Sequence, residues 1–166
     1  MDSLSLNPGR LLVVDDERDF VKVLARRLQH QGYKVDAVQT GIEALGYLSG
    51  NEVDVVLLDI KMPGIDGLET LRRFKARWPL VEVIMITAHA TVATGVNAIR
   101  MGAWDYVIKP FDRRELITRI EAAVRHKRDR ERRIIDVKMQ PYMTEGEKEA
   151  LIAAILAEAP ERSGLE

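Results

Sequence analysis

Residues 53–59, Val53-Asp54-Val55-Val56-Leu57-Leu58-Asp59, read as a strand that ends on an acid. Apart from Asp54 the run is apolar and nearly unbroken rather than alternating, which is the pattern of a parallel strand covered on both faces. Residues 11–16, Leu11-Leu12-Val13-Val14-Asp15-Asp16, repeat the form of an apolar run that stops on carboxylates. In an open α/β sheet the carboxyl ends of parallel strands make the edge where ligands bind, so Asp15, Asp16 and Asp59 are expected to converge there. Carboxylates held within a few Å of each other repel, and a hard divalent cation such as Mg2+ relieves that repulsion.

Outward from these two runs, apolar stretches of strand length alternate with amphipathic stretches of helix length, five pairs in all, which is the signature of βαβ units. Strands are expected at residues 10–14, 33–37, 53–58, 81–86 and 104–108. The first helix is expected over residues 17–31, where Phe20, Val21, Leu24 and Leu28 recur at helical spacing; taken alone, Asp16 reads equally well as its N-cap. The helix at residues 91–101 is weakly apolar and contains Gly95, so it is expected to be the least stable of the set. Asp112 is placed to cap the fifth helix.

That fifth helix has no obvious stop before Pro141. Residues 125–133 carry six basic and two acidic side chains and read as a solvated helical extension, with His30 and His126 at the surface. Thr144 and Glu147 have the spacing of a capping box and precede Leu151, Ile152, Ile155 and Leu156, which predicts a short amphipathic helix. The expected organisation is a tail at residues 1–9, a domain at 10–127 and a helical extension at 128–166.

Composition narrows the function classes. With 166 residues, 46% hydrophobic and 31% charged, the chain has room for one core domain and a short appendage. The net charge of −1 provides no general attraction to nucleic acid or membrane. There is no cysteine, which fits a reducing compartment, and no apolar run of the roughly 20 residues that a bilayer span requires. A cytoplasmic protein is expected. Direct nucleic-acid binding is not expected, because base-reading aromatics and a DNA-binding motif are absent. No Gly-x-x-x-x-Gly-Lys-Ser/Thr loop is present either, so no ATPase output is expected in this chain.

Four segments carry a family resemblance: Leu11 to Glu17, Leu57-Leu58-Asp59-Ile60-Lys61-Met62-Pro63-Gly64, Met85-Ile86-Thr87-Ala88-His89, and Asp105-Tyr106-Val107-Ile108-Lys109-Pro110-Phe111. Together they resemble the receiver domain of two-component response regulators, and most closely the receivers that precede AAA+ transcriptional activators. The resemblance implies a flavodoxin-like, doubly wound sheet of five parallel strands in the order 2-1-3-4-5, followed here by the helical extension. It implies that Asp59 accepts a phosphoryl group from a sensor histidine kinase or a phosphotransfer protein. Mg2+ would be held by Asp15, Asp16, Asp59 and the backbone carbonyl of Lys61. Lys109 and Thr87 would bind the phosphoryl oxygens. Thr87 and Tyr106 would form the switch that alters the face made by the fourth helix, fifth strand and fifth helix, controlling output or homodimerisation, the latter through that face or through the C-terminal extension. Lys61 and His89 would border the pocket and tune dephosphorylation. The resemblance also implies a cis Lys109-Pro110 bond, an arrangement that X-Pro makes inexpensively. Two alternatives use the same residues: a Mg2+-dependent α/β phosphohydrolase with Asp59 as nucleophile, and a receiver-like interaction module that works without phosphorylation.

Overall fold

β1 (Arg10–Val14), β2 (Lys34–Val38), β3 (Val55–Leu58), β4 (Glu82–Thr87) and β5 (Asp105–Ile108) form one parallel sheet in the order β2-β1-β3-β4-β5. The computed structural model describes residues 7–160. Residues 1–6 of the expected tail and 161–166 of the expected extension lie outside that range. Among the described residues six helices connect and follow the strands: α1 (Arg18–His30), α2 (Gly41–Gly50), α3 (Gly67–Arg77), α4 (Val92–Arg100), α5 (Arg113–Lys138) and α6 (Glu145–Leu156). None of them is long and apolar enough to cross a membrane.

The pleat of the central strands sorts their side chains onto two faces. Leu11, Val13, Val55, Leu57, Ile84 and Ile86 pack under α1 and α5, against Leu24, Leu28, Leu116 and Ile120. Leu12, Val14, Val56, Leu58, Val83 and Met85 pack on the other side, against Leu48, Leu71, Phe74 and Ala98 from α2, α3 and α4. Burying a side chain such as Leu57 contributes about 1.5–3 kcal/mol, so a continuous apolar run is what a strand covered on both faces requires. β2, at the sheet edge, is the contrast: its five side chains are exposed or half-buried.

The caps expected at α5 and α6 are present, and three further helices are capped by side chains. Thr40, Asp66, Thr91, Asp112 and Thr144 each accept a hydrogen bond from a backbone N–H of the first turn. α1 departs from the reading of Asp16 as N-cap. Glu17 occupies that position without a side-chain cap, and its N–H donates instead to Asp15 Oδ1 at 2.9 Å.

The extension corrects the expectation of a solvated helix. α5 runs unbroken to Lys138, and α6 folds back against it. Lys127 and Arg130 are buried. Lys127 donates to Asp54 Oδ1 at 2.9 Å and to Glu131 at 2.7 Å. Arg130 donates to the carboxylate of Glu82, the first residue of β4, which is itself 1% exposed. His126 is not a surface residue either. Its Nδ1 lies 2.9 Å from Glu82 Oε1, and its ring stacks 4.7 Å from that of Trp104. A lone carboxylate at the start of a buried strand is costly unless cations neutralise it, and the charged run of α5 supplies them.

Candidate functional site

The expected acidic edge is present. Asp15 and Asp59 each follow directly on a strand, yet their backbone N–H groups still belong to the sheet: Asp15 donates to Val38 O at 3.2 Å and Asp59 to Val14 O at 3.0 Å. Lys109 N–H likewise donates to Thr87 O at 2.9 Å. The sheet therefore fixes the backbone of all three side chains. Carboxylate oxygens of Asp15, Asp16 and Asp59 lie within 4.8 Å of one another, Asp16 exposed and the other two buried. A set of three hard oxygen donors, two of them largely withdrawn from water, fits a divalent ion such as Mg2+.

Lys109 already serves this cluster as a cation. Its ammonium donates to Asp15 Oδ2 at 2.7 Å and lies 3.9 Å from Asp59 Oδ2. On Asp59, Oδ1 accepts the N–H of Ile60 at 2.8 Å, which leaves Oδ2 the less committed oxygen. Burial pushes the Asp59 carboxyl above its ordinary range, and the neighbouring Asp15 pushes the same way. Lys109, the Ile60 N–H and the Thr87 hydroxyl oppose the rise without cancelling it.

A raised folded-state pKa has a definite sign in the stability balance. The contribution is fully present below the unfolded value and is lost as pH rises through the folded one, so ionised Asp59 burdens the fold at neutral pH. In Mg2+-free buffer, Asp59→Asn is expected to unfold at higher urea than the wild type at neutral pH. The advantage should shrink as pH falls through the carboxylate range. A neutral-pH midpoint equal to or below that of the wild type would contradict this electrostatic account.

The remaining expected residues divide by position. Thr87 is fully buried at the end of β4, and its Oγ1 accepts the N–H of His89 at 3.0 Å, leaving the hydroxyl proton free to donate. Lys61 and His89 are exposed beside the acidic edge. Tyr106 is half-buried, its ring beside Gly95 and its hydroxyl 2.9 Å from Thr94 Oγ1. This ties β5 to the first turn of α4, whose only buried residue is Ala98. The Lys109-Pro110 peptide is cis.

Two contributors escaped the sequence reading. A Cβ on Gly67 would sit 2.0 Å from Asp59 O, so only glycine lets α3 start this close to the backbone of Asp59. The first glycine of a helix that follows an acid-tipped strand was the available signal. Phe20, read from its helical spacing as a core residue, lies under the Lys109 ammonium, with Nζ 4.0 Å from the ring centroid. Spacing alone does not distinguish that role from packing.

Residues 11–121 match the family described as response regulator receiver domain. The chain is 40% identical over 118 residues to response regulator MprA of Mycobacterium sp. (strain KMS), covering 71% of this chain and 51% of MprA. It is 41% identical over 118 residues to the DNA-binding transcriptional regulator NtrC of Escherichia coli (strain K12), covering 71% of this chain and 25% of NtrC. The chain thus matches about half the length of the first relative and a quarter of the second. Among solved structures, it is similar to response regulator TrrA of Thermotoga maritima in complex with Mg2+-BeF. The TM-score is 0.64 at 34% identity, covering 69% of this chain and 97% of that one.

Proposed function

The chain belongs to the response regulator receiver domain family of two-component systems, and from that premise we propose that Asp59 accepts a phosphoryl group from a sensor histidine kinase or phosphotransfer protein in a Mg2+-dependent reaction. The observation that carries this reading is the meeting of Asp15, Asp16 and Asp59 with Lys109 at the ends of β1, β3 and β5. In the transfer, Asp59 Oδ2 attacks the phosphorus of a phosphohistidine. A P–O bond forms, the P–N bond breaks, and its electron pair stays on the imidazole nitrogen. Such transfers depend on positioning and on charge stabilisation more than on a base. The Asp15, Asp16 and Asp59 carboxylates, with the Lys61 carbonyl, would hold Mg2+, which when bound neutralises charge on the carboxylates and on the transferred oxygens. TrrA, solved in complex with Mg2+-BeF, supports Mg2+ as the metal of this reading.

Lys109 then exchanges its Asp15 partner for a phosphoryl oxygen, and the Thr87 hydroxyl donates to another. The new charge of about −1.5 to −2 draws both side chains toward Asp59. Thr87 ends β4 opposite Ile108, and Tyr106 lies two residues back on β5 opposite Met85, so a displacement of Thr87 would reach α4 through the Tyr106–Thr94 hydrogen bond. The α4–β5–α5 face exposes Val92, Val96 and Ile108, which suits a surface read by a partner or a second copy. The domain at residues 10–127 would carry this switch and residues 128–166 its extension, the two joined by one continuous α5. Lys61 and His89 stand where they would set how readily water reaches the acyl phosphate. The protein is a signalling domain, and its phosphorylation and dephosphorylation are the chemistry of its own side chain.

Chelating Mg2+ with EDTA is expected to abolish labelling by a small phosphodonor such as acetyl phosphate, as read by intact mass. Lys109→Ala frees Asp15, so it should bind Mg2+ at least as tightly as the wild type by calorimetric titration. It should take up phosphoryl groups about 10²-fold more slowly, the usual loss on removing one preorganised charge-stabilising group. Undiminished labelling in EDTA would overturn the metal requirement, and a normal rate in Lys109→Ala would remove the lysine from the reaction.

A further inference from the structure

We propose that Phe20 is a positioning residue for Lys109, its ring face holding the ammonium at the pocket while the lysine changes partners. This rests on the reading of Lys109 as the clamp for the incoming phosphoryl group. The Lys109 Nζ sits 4.0 Å above the centroid of Phe20, within the range where the negative face of an aromatic ring attracts a cation. The same ammonium donates to Asp15 Oδ2 at 2.7 Å, and Asp59 Oδ2 lies 3.9 Å away. Three electron-rich groups therefore surround one cation, and the aromatic ring alone among them neither titrates nor binds metal.

That difference matters at the step where the ion pair is given up. Once Asp15 is committed to a metal, Lys109 loses its closest partner before a phosphoryl oxygen is there to replace it. A long, flexible lysine would then be free to swing into solvent, with several rotamers to explore. The ring of Phe20 restricts that excursion. It is itself held in place: it meets Phe111 edge-on, with centroids 6.2 Å apart and planes at 86°. Phe20 is anchored on α1 and Phe111 directly follows Pro110, so helix and loop together fix the ring's attitude. The lysine stem borders an apolar groove of about 450 Å3, with Phe20, Val23, Leu24, Ala88 and Phe111 among its walls. Its methylenes lie along that apolar surface while the charged end emerges at the carboxylates.

A leucine at position 20 would cover the same groove but offer no ring face. Phe20→Leu and, as a second non-aromatic replacement, Phe20→Met are therefore compared with Phe20→Tyr, which keeps the ring. Two measurements are made on each. The first is the Lys109 ε-methylene NMR resonance, assigned with Lys109→Arg, in the protein without Mg2+ or donor. The second is the initial rate of phosphoryl uptake from acetyl phosphate with Mg2+. In the wild type and Phe20→Tyr, the ε-methylene protons should be shifted upfield by the ring current, and uptake should be fast. In Phe20→Leu and Phe20→Met the upfield shift should vanish and uptake should slow roughly fivefold, equivalent to about 1 kcal/mol, the scale of one cation–π contact. The absence of an upfield shift in the wild type would overturn the proposal, as would wild-type uptake by folded Phe20→Leu or Phe20→Met. Uptake by Phe20→Tyr as slow as by Phe20→Leu would do the same. Should the wild type take up no phosphoryl group at all, the reading of Asp59 and Lys109 fails by that result, while the resonance still decides whether Phe20 holds the lysine.

Discussion

Replacing Arg130 with methionine should remove about 3–5 kcal/mol of folding stability, as expected when one member of a buried ion pair is deleted and its partner stays charged. Arg130 is 2% exposed and donates to Glu82, which is 1% exposed. The guanidinium also reaches Pro79 O at 3.3 Å, Leu80 O at 3.4 Å and, from α6, Leu156 O at 3.4 Å. Without it the Glu82 carboxylate keeps His126 at 2.9 Å and the Lys75 ammonium at 3.7 Å. Neither replaces the lost charge well. The Lys75 ammonium, at 3.7 Å, is a looser partner than the guanidinium; burial holds its pKa below the ordinary value, with Glu82 raising it and Arg130 lowering it. Single domains are commonly stable by about 5–15 kcal/mol, so a loss of this size is readily measured as a lower urea midpoint. Adding Glu82→Gln to the same chain should return a good part of the loss, because the uncompensated carboxylate is then gone. A loss under about 1 kcal/mol, within the range of an exposed pair, would show that Arg130 is not buried against Glu82 in solution.

The position of that ion pair gives it a second interest. Glu82 begins β4 and Thr87 ends it. The same rigid strand thus carries the extension's anchor at one edge of the sheet and the expected phosphoryl-sensing hydroxyl at the other.

The two faces of the sheet were legible because burial on both sides leaves an unmistakable trace: runs such as Leu11 to Val14 and Val55 to Leu58 admit no polar residue. The acidic edge was legible for a related reason. Asp15, Asp16 and Asp59 stand where an apolar run stops, and a parallel sheet sends all such stops to one edge. The helical extension was harder. Lys127 and Arg130 interrupt an apolar stripe and read as solvated, because a helix pattern alone does not show what lies opposite it. The missing clue was in the strands. Asp54 and Glu82 sit in or beside otherwise apolar runs, the first half-buried and the second buried, and a carboxylate withdrawn from water there requires a cation from elsewhere in the chain. Phe20 was hidden for the opposite reason. An aromatic at core spacing satisfies the packing pattern whether or not a lysine lies over its face.

Asp59→Asn is expected to have the largest chemical effect of any single change. It leaves the shape of the pocket and the Ile60 N–H contact nearly unaltered but removes the anionic oxygen that would attack phosphorus. Asp15 does not substitute for it: one of its oxygens accepts the Glu17 N–H at 2.9 Å, and the other, which Lys109 holds at 2.7 Å, would pass to Mg2+ when the metal binds. Asp16 is exposed and therefore lacks the sheltered site beside Thr87 and Lys109. The loss of labelling should accordingly be complete rather than partial.

The measurement that tests the central claim most directly is the intact mass of the wild type and of Asp59→Asn after incubation with Mg2+ and acetyl phosphate. The account predicts one phosphoryl adduct on the wild type and none on Asp59→Asn; equal labelling of the two would contradict it.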